Sequence, residues 1–215
     1  MMRVVWILLS STGIVLQLLL IAALLRGALK KYRMLFVYVL VLFLTTVMEA
    51  AAFYNADLFR QASRYYWASD AIRQFMIFLV VLSFIRQALG ADSRHAMLRR
   101  LLWGGVTAFS IASAVFTQDP RLGFWMTNLN RNLGFLAVVL NLVLWAALIQ
   151  YRRGDRTLLM VAGGMGLQMA GKAIGHSLRQ LSPSTAVAGN LIIVLSHLLC
   201  LYIWWQGFRQ PASLE

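Results

Sequence analysis

Gln168, Lys172, His176 and Arg179 recur at i, i+4, i+8 and i+11 in a stretch otherwise rich in glycine and apolar residues. That spacing puts all four side chains on one face of a helix. A row of a lysine, a histidine and an arginine can hold an anion, pass a proton or neutralise carboxylates on a neighbouring helix. Complementary groups lie elsewhere. Glu49 sits near the end of one apolar run, and Asp70, Arg73 and Gln74 share a face at the start of another. Asn128, Asn130, Arg131 and Asn132 crowd the start of a third, and Asn190 and His197 lie two turns apart on a fourth. The expected ligand-binding site is Glu49, Asp70, Arg73, Arg131, Lys172 and His176, with Gln168, Asn190 and His197 around it.

The residues leave two readings open. A charge inside a bilayer costs roughly 2.5–3.5 kcal/mol on insertion scales, so it is retained for pairing or for function. In the first reading the charges pair with one another and fix helix register. In the second they line a pocket or an ion path. Arg73, Arg131, Lys172 and Arg179 outnumber Glu49 and Asp70 by two, so a bound group would be anionic, a carboxylate or a phosphate. That surplus vanishes if Arg131 and Arg179 snorkel to headgroups.

Other chemistries find little support. There is no His-Glu-x-x-His metal motif, no Gly-x-Ser-x-Gly elbow and no closely spaced carboxylate pair, so no catalytic residue and no metal ligand is assigned. The single cysteine, Cys200, forms no intrachain disulfide and builds no metal cluster. His176 and His197 would lie at depths about 10 Å apart, too far for two axial ligands of one haem. The lysine lies in the sixth apolar run, whereas retinal proteins carry theirs in the last. No cofactor is expected.

These side chains are positioned by long apolar segments. Of 215 residues 60% are hydrophobic and only 13% charged, and the mean hydropathy is +0.71. Soluble domains are less apolar and about twice as charged. Seven runs near the ~20 residues that cross a bilayer stand out: 4–25, 34–54, 67–88, 101–117, 131–150, 157–179 and 187–207. The fourth is the shortest. No small-x-small cleavage site follows the first, which is read as a retained span and not a signal peptide. Every connection is short, so 1–215 is expected to be one all-α membrane domain, a bundle of seven transmembrane helices.

The formal net charge is +13, yet the cations fall mostly between apolar runs, which points to headgroups and not to nucleic acid. Arg26, Lys30, Lys31 and Arg33 follow the first run, Arg86, Arg94, Arg99 and Arg100 the third, Arg152, Arg153 and Arg156 the fifth, and Arg209 the last. The positive-inside rule therefore places those loops and the C-terminus in the cytoplasm and the N-terminus outside, with Arg3 a mild exception. Tyr65, Tyr66, Trp67 and Trp125 are expected in the outer aromatic belt and Trp103 in the inner one.

The stretches KKYRMLFVYVLVLF, YYWASDAIRQFMIFLVVLSF and NRNLGFLAVVLNLVLW resemble those of a set of small uncharacterised bacterial membrane proteins with seven spans. Those are loosely similar to the membrane sensor modules of bacterial histidine kinases. The resemblance covers most of the chain through diffuse patterns. It matches Asp70 to an acidic residue after the aromatic start of the third span, and Arg131 to an arginine opening the fifth. It implies a bacterial inner-membrane location and a sensor-like role. No kinase or cyclase domain follows in this sequence, so a signal would pass to a partner protein or within a homo-oligomer. The expected function is a stand-alone receptor-like or accessory protein that binds a small anionic ligand or lipid headgroup in its outer half. Its glycine-rich sixth helix is the expected mobile element. A transporter or channel for a small anion or proton-coupled solute, and a purely structural bundle, are the alternatives.

Overall fold

Backbone polar groups in lipid have no water to bond, so an apolar run satisfies them internally by forming a helix. A computed structural model of the chain shows this outcome. The structure describes residues 2–54, 56–89, 96–116, 122–151 and 155–209, with side chains over 8–51, 69–89, 100, 102–115, 128–150, 155–182 and 184–209. The expectations for Tyr65, Tyr66, Trp67, Trp125, Arg3, Arg94, Arg99, Arg152 and Arg153 concern side chains outside that set. The helices are α1 (Met2–Ala23), α2 (Arg33–Tyr54), α3 (Ala56–Leu89), α4 (Ala96–Phe116), α5 (Leu122–Tyr151), α6 (Arg156–Leu181) and α7 (Pro183–Arg209). No strand occurs among the described residues.

Six of these helices are long and apolar enough to cross a membrane, within Leu8–Ala28, Arg33–Ala51, Ser69–Leu89, Asn128–Gln150, Arg156–Leu181 and Ser184–Arg209. The remaining span expected from the sequence falls on α4, whose apolar stretch, Leu102–Val115, is shorter. The chain is thus all-helical and, by length and composition, a multi-pass membrane protein. Two helices run well past the apolar stretches that mark them. At 1.5 Å per residue α3, with 34 residues, is about 51 Å long, and α5, with 30, about 45 Å. Their N-terminal turns are polar or mixed, which is why hydropathy alone starts both segments about ten residues late.

Local chemistry explains the ends. After α1 the chain passes through a π-helical turn, Leu24–Ala28, in which Gly27 adopts φ 155°, a conformation that a Cβ disfavours. Only Ser182 separates α6 from α7. Its hydroxyl accepts from the Thr185 backbone N–H at 3.2 Å, and Thr185 Oγ1 accepts from the Ser182 N–H at 3.1 Å. This capping box, with Pro183 at the first helical position, turns the chain back sharply.

Asp155 caps α6 by accepting from the Leu158 N–H at 3.1 Å, and its second oxygen accepts from Lys31 Nζ at 2.7 Å. Burial alone would lower the Lys31 pKa, but the hydrogen bond and charge of Asp155, with the nearby Tyr32, outweigh it and leave the value raised above 10.5. The lysine's contribution to the pair is therefore fully present below its ordinary value and lost as pH rises through the raised one. Asp155→Ala should lower stability by about 1 kcal/mol through the lost cap. Amide exchange at Leu158 should quicken in the same variant, and an unchanged exchange rate there would contradict the cap.

Contacts run α1–α2–α3–α5–α6–α7 and back to α1, so six helices close a ring, while α4 packs lightly outside it on α5 and α3. Leu20, Leu24, Tyr38, Phe84, Leu144, Leu148 and Trp204 fill the buried centre. Leu8, Met48 and Leu142 point outward at 62% exposure each, as lipid-facing residues do.

The sixth helix is the most buried of the spans, and its tightest neighbour is α7. A Cβ on Gly175 would lie 2.7 Å from the Gly189 carbonyl oxygen, and one on Gly189 would lie 2.6 Å from that of Gly175. A Cβ on Gly171 would overlap the Ser196 side chain. The small residues thus bring two backbones together. The expected mobile helix is one half of a close-packed pair.

Candidate functional site: an ion-paired polar layer

Four polar residues near the middle of α3 are split by helix geometry into two stripes. Ser69 and Arg73, four apart, face α2, while Asp70 and Gln74, four apart, face α5 and α6. On the first stripe, Arg73 forms an ion pair with Glu49 of α2, and Ser69 donates a hydrogen bond to the same carboxylate. Arg73 also donates to the Ser69 hydroxyl at 3.1 Å. On the second, Asp70 Oδ1 accepts from Lys172 Nζ of α6 at 2.9 Å, and Asp70 Oδ2 accepts from Asn130 Nδ2 of α5 at 2.6 Å. Gln74 donates to the Leu133 carbonyl at 3.4 Å. One helix therefore joins two ion pairs and links α2, α5 and α6.

The other expected residues arrange themselves around this core. Arg131 donates to Gln180 Oε1, and Gln180 donates in turn to Asn128 Oδ1 at 2.7 Å, tying α5 to α6. His176 is buried one turn beyond Lys172, within electrostatic reach of Asp70, Lys172 and Arg179, and its Nδ1 has no hydrogen-bond partner among the described residues. Arg179 is exposed. Asn190 is half-buried at the start of α7 and lies outside the network. Glu49, Asp70, Arg73 and Lys172 are thus brought together, Arg131 and His176 flank them, and Asn190 stands apart.

Gln168 belongs to a second junction. Its amide nitrogen donates to Tyr38 Oη at 3.3 Å and lies 3.0 Å from His197 Nδ1. The Tyr38 ring meets Trp204 edge to face at 5.9 Å, and Trp204 Nε1 donates to the Val161 carbonyl at 2.8 Å. The sequence pattern misses Tyr38 and Trp204, because both stand in apolar runs. Their signal is chemical, since a buried phenol or indole needs a partner. Gln168→Ala should cost about 1–3 kcal/mol by leaving the Tyr38 hydroxyl and His197 Nδ1 unpaired. Gln168→Ala together with Tyr38→Phe should cost less than the sum of the single changes. Strict additivity in thermal melts would show that the two groups are not coupled.

The layer is paired without being sealed. The side chains of Arg73, Glu49, Lys172 and Asp70 retain 19%, 22%, 15% and 23% exposure. Among the described residues of the layer, Arg131 and Arg179 have no carboxylate partner, which leaves two cations in excess. No group of His, Cys, Asp and Glu suited to a metal ion occurs among the described residues. Comparisons with protein-family models, curated proteins and solved structures give no match. The chemistry is therefore read from the geometry alone.

Proposed function

We propose that this is a receptor-like protein of the bacterial inner membrane, with seven spans, N-terminus outside and C-terminus in the cytoplasm. Its ion-paired layer is an outward-facing recognition site for a small anionic group, a carboxylate or a phosphate. The observation that carries this is Asp70. Its carboxylate accepts from Lys172 on one oxygen and Asn130 on the other, as a bound carboxylate would. Asp70 and Glu49 are then resident stand-ins for the ligand, and the extra cations Arg131 and Arg179 attract an anion from outside. A ligand that displaces Asp70 releases α3 from α6, and the response is a shift between two packings. A partner protein or second copy of the chain would read that shift, and membrane lipids surround it.

A structural reading is favoured by one fact: both described carboxylates of the layer, Glu49 and Asp70, are paired. Thiol labelling of intact cells separates the two. In a Cys200→Ser background, Asp70→Cys and Glu49→Cys should react from outside with a membrane-impermeant anionic methanethiosulfonate, and faster than with its cationic counterpart. Val161→Cys, in the buried core, should not react. Silence at both layer positions, or a faster cationic reagent, would leave only the structural reading.

A further inference from the structure

A second feature lies at the opposite end of the bundle and does not depend on the charged layer. Because α4 packs lightly against the ring, a hollow of about 300 Å³ opens between α2, α3 and α4, lined by Met34, Leu79, Leu82, Ser83, Arg86 and Trp103. Leu79, Leu82, Ser83 and Arg86 lie at i, i+3, i+4 and i+7 along α3, on one helical face. That face is graded. It begins apolar at Leu79, passes a hydroxyl at Ser83 and ends at the Arg86 guanidinium, about 10 Å further along the axis. Trp103 and Met34 flank it at 45% and 51% exposure.

Among the described residues no carboxylate answers the charge at the polar end. Arg86 is exposed and pairs with no carboxylate among the described residues, and the exposed Lys30, Arg33 and Arg100 belong to the same end of the bundle. A free phosphate would use the guanidinium and leave the apolar wall bare. An acidic peptide would have to bury polar backbone against Leu79 in lipid, at a cost of several kcal/mol per unpaired group. An anionic glycerophospholipid satisfies both ends. Its phosphate meets Arg86 and the Ser83 hydroxyl, its acyl chain follows Leu82 and Leu79, and an interfacial tryptophan sits at headgroup depth. We propose that this hollow is a binding site for one anionic phospholipid, which fills the gap between α4 and the ring.

The test is native mass spectrometry of the detergent-purified full chain titrated with phosphatidylglycerol, phosphatidylcholine or inorganic phosphate. The wild type should take up one tightly bound phosphatidylglycerol in preference to phosphatidylcholine, and inorganic phosphate at equal concentration should not compete. Arg86→Gln should weaken phosphatidylglycerol binding about fivefold, one interfacial cation's contribution. Ser83→Trp, which fills the hollow, should abolish the preference. Arg209→Gln, an exposed cation at the end of α7, should leave it unchanged. Equal losses in Arg86→Gln and Arg209→Gln would reduce the effect to general surface charge and overturn the site. Competition by inorganic phosphate, or full binding in Ser83→Trp, would overturn it as well.

Discussion

Asp70→Ala should lower the stability of the detergent-purified protein by about 3 kcal/mol, the lower end of the range for breaking a buried ion pair. The cost has a definite origin. Removing the carboxylate leaves the Lys172 ammonium, at 15% exposure, and the Asn130 amide without their acceptor in a low-dielectric layer. The stranded charge, and not the lost attraction, dominates. Asp70→Ala combined with Lys172→Met should therefore recover most of the loss, since an apolar pair of similar volume replaces the ions. Thermal or denaturant unfolding of the two single variants and the double variant closes the cycle. If the double variant is as unstable as the sum of the singles, Asp70 and Lys172 are not coupled and the layer is misassigned.

Gly175→Leu should be at least as damaging, about 3 kcal/mol or more, through overpacking. The Cβ would meet the Gly189 carbonyl oxygen and the Ile193 side chain, and a backbone atom of a helix paired along its length cannot step aside cheaply. Gly104→Leu on α4 is the control, because a Cβ there meets nothing within 4 Å. It should change the melting temperature little, as open surface positions do. A Gly175→Leu protein as stable as the control would mean that α6 and α7 are not locked together and that α6 is free to move.

Much of this arrangement is legible in the sequence. Apolar runs mark the helices because lipid allows few other structures. The i, i+4, i+8 pattern of Gln168, Lys172 and His176 marks an interior face because helical geometry is local. Partner choice is less legible. Lys172 could have met Glu49, which Arg73 takes instead, because Asp70 and Arg73 sit on adjacent stripes of α3 and look toward different neighbours. Long-range junctions are less visible still. Gln168 and Tyr38 are 130 residues apart, and nothing near Tyr38 announces a polar partner. The glycines of α6 read as freedom when taken alone, and the structure uses them for contact, because only the facing helix decides which. The full lengths of α3 and α5 escape a hydropathy reading, since the sequences of their N-terminal turns are polar or mixed.

Rescue by an added carboxylate tests the central claim most directly, that the polar layer accepts an anionic group from outside. In Asp70→Ala the methyl leaves a space bounded by Lys172 and Asn130 and sized for a small carboxylate. Acetate or formate, at the same ionic strength as a chloride control, should raise the melting temperature of Asp70→Ala and leave Asp70→Ala/Lys172→Met unmoved. The wild type should respond little, because Asp70 already occupies the place. If acetate and chloride act alike on Asp70→Ala, the layer does not admit an anion from solution, and the ion pairs are structural.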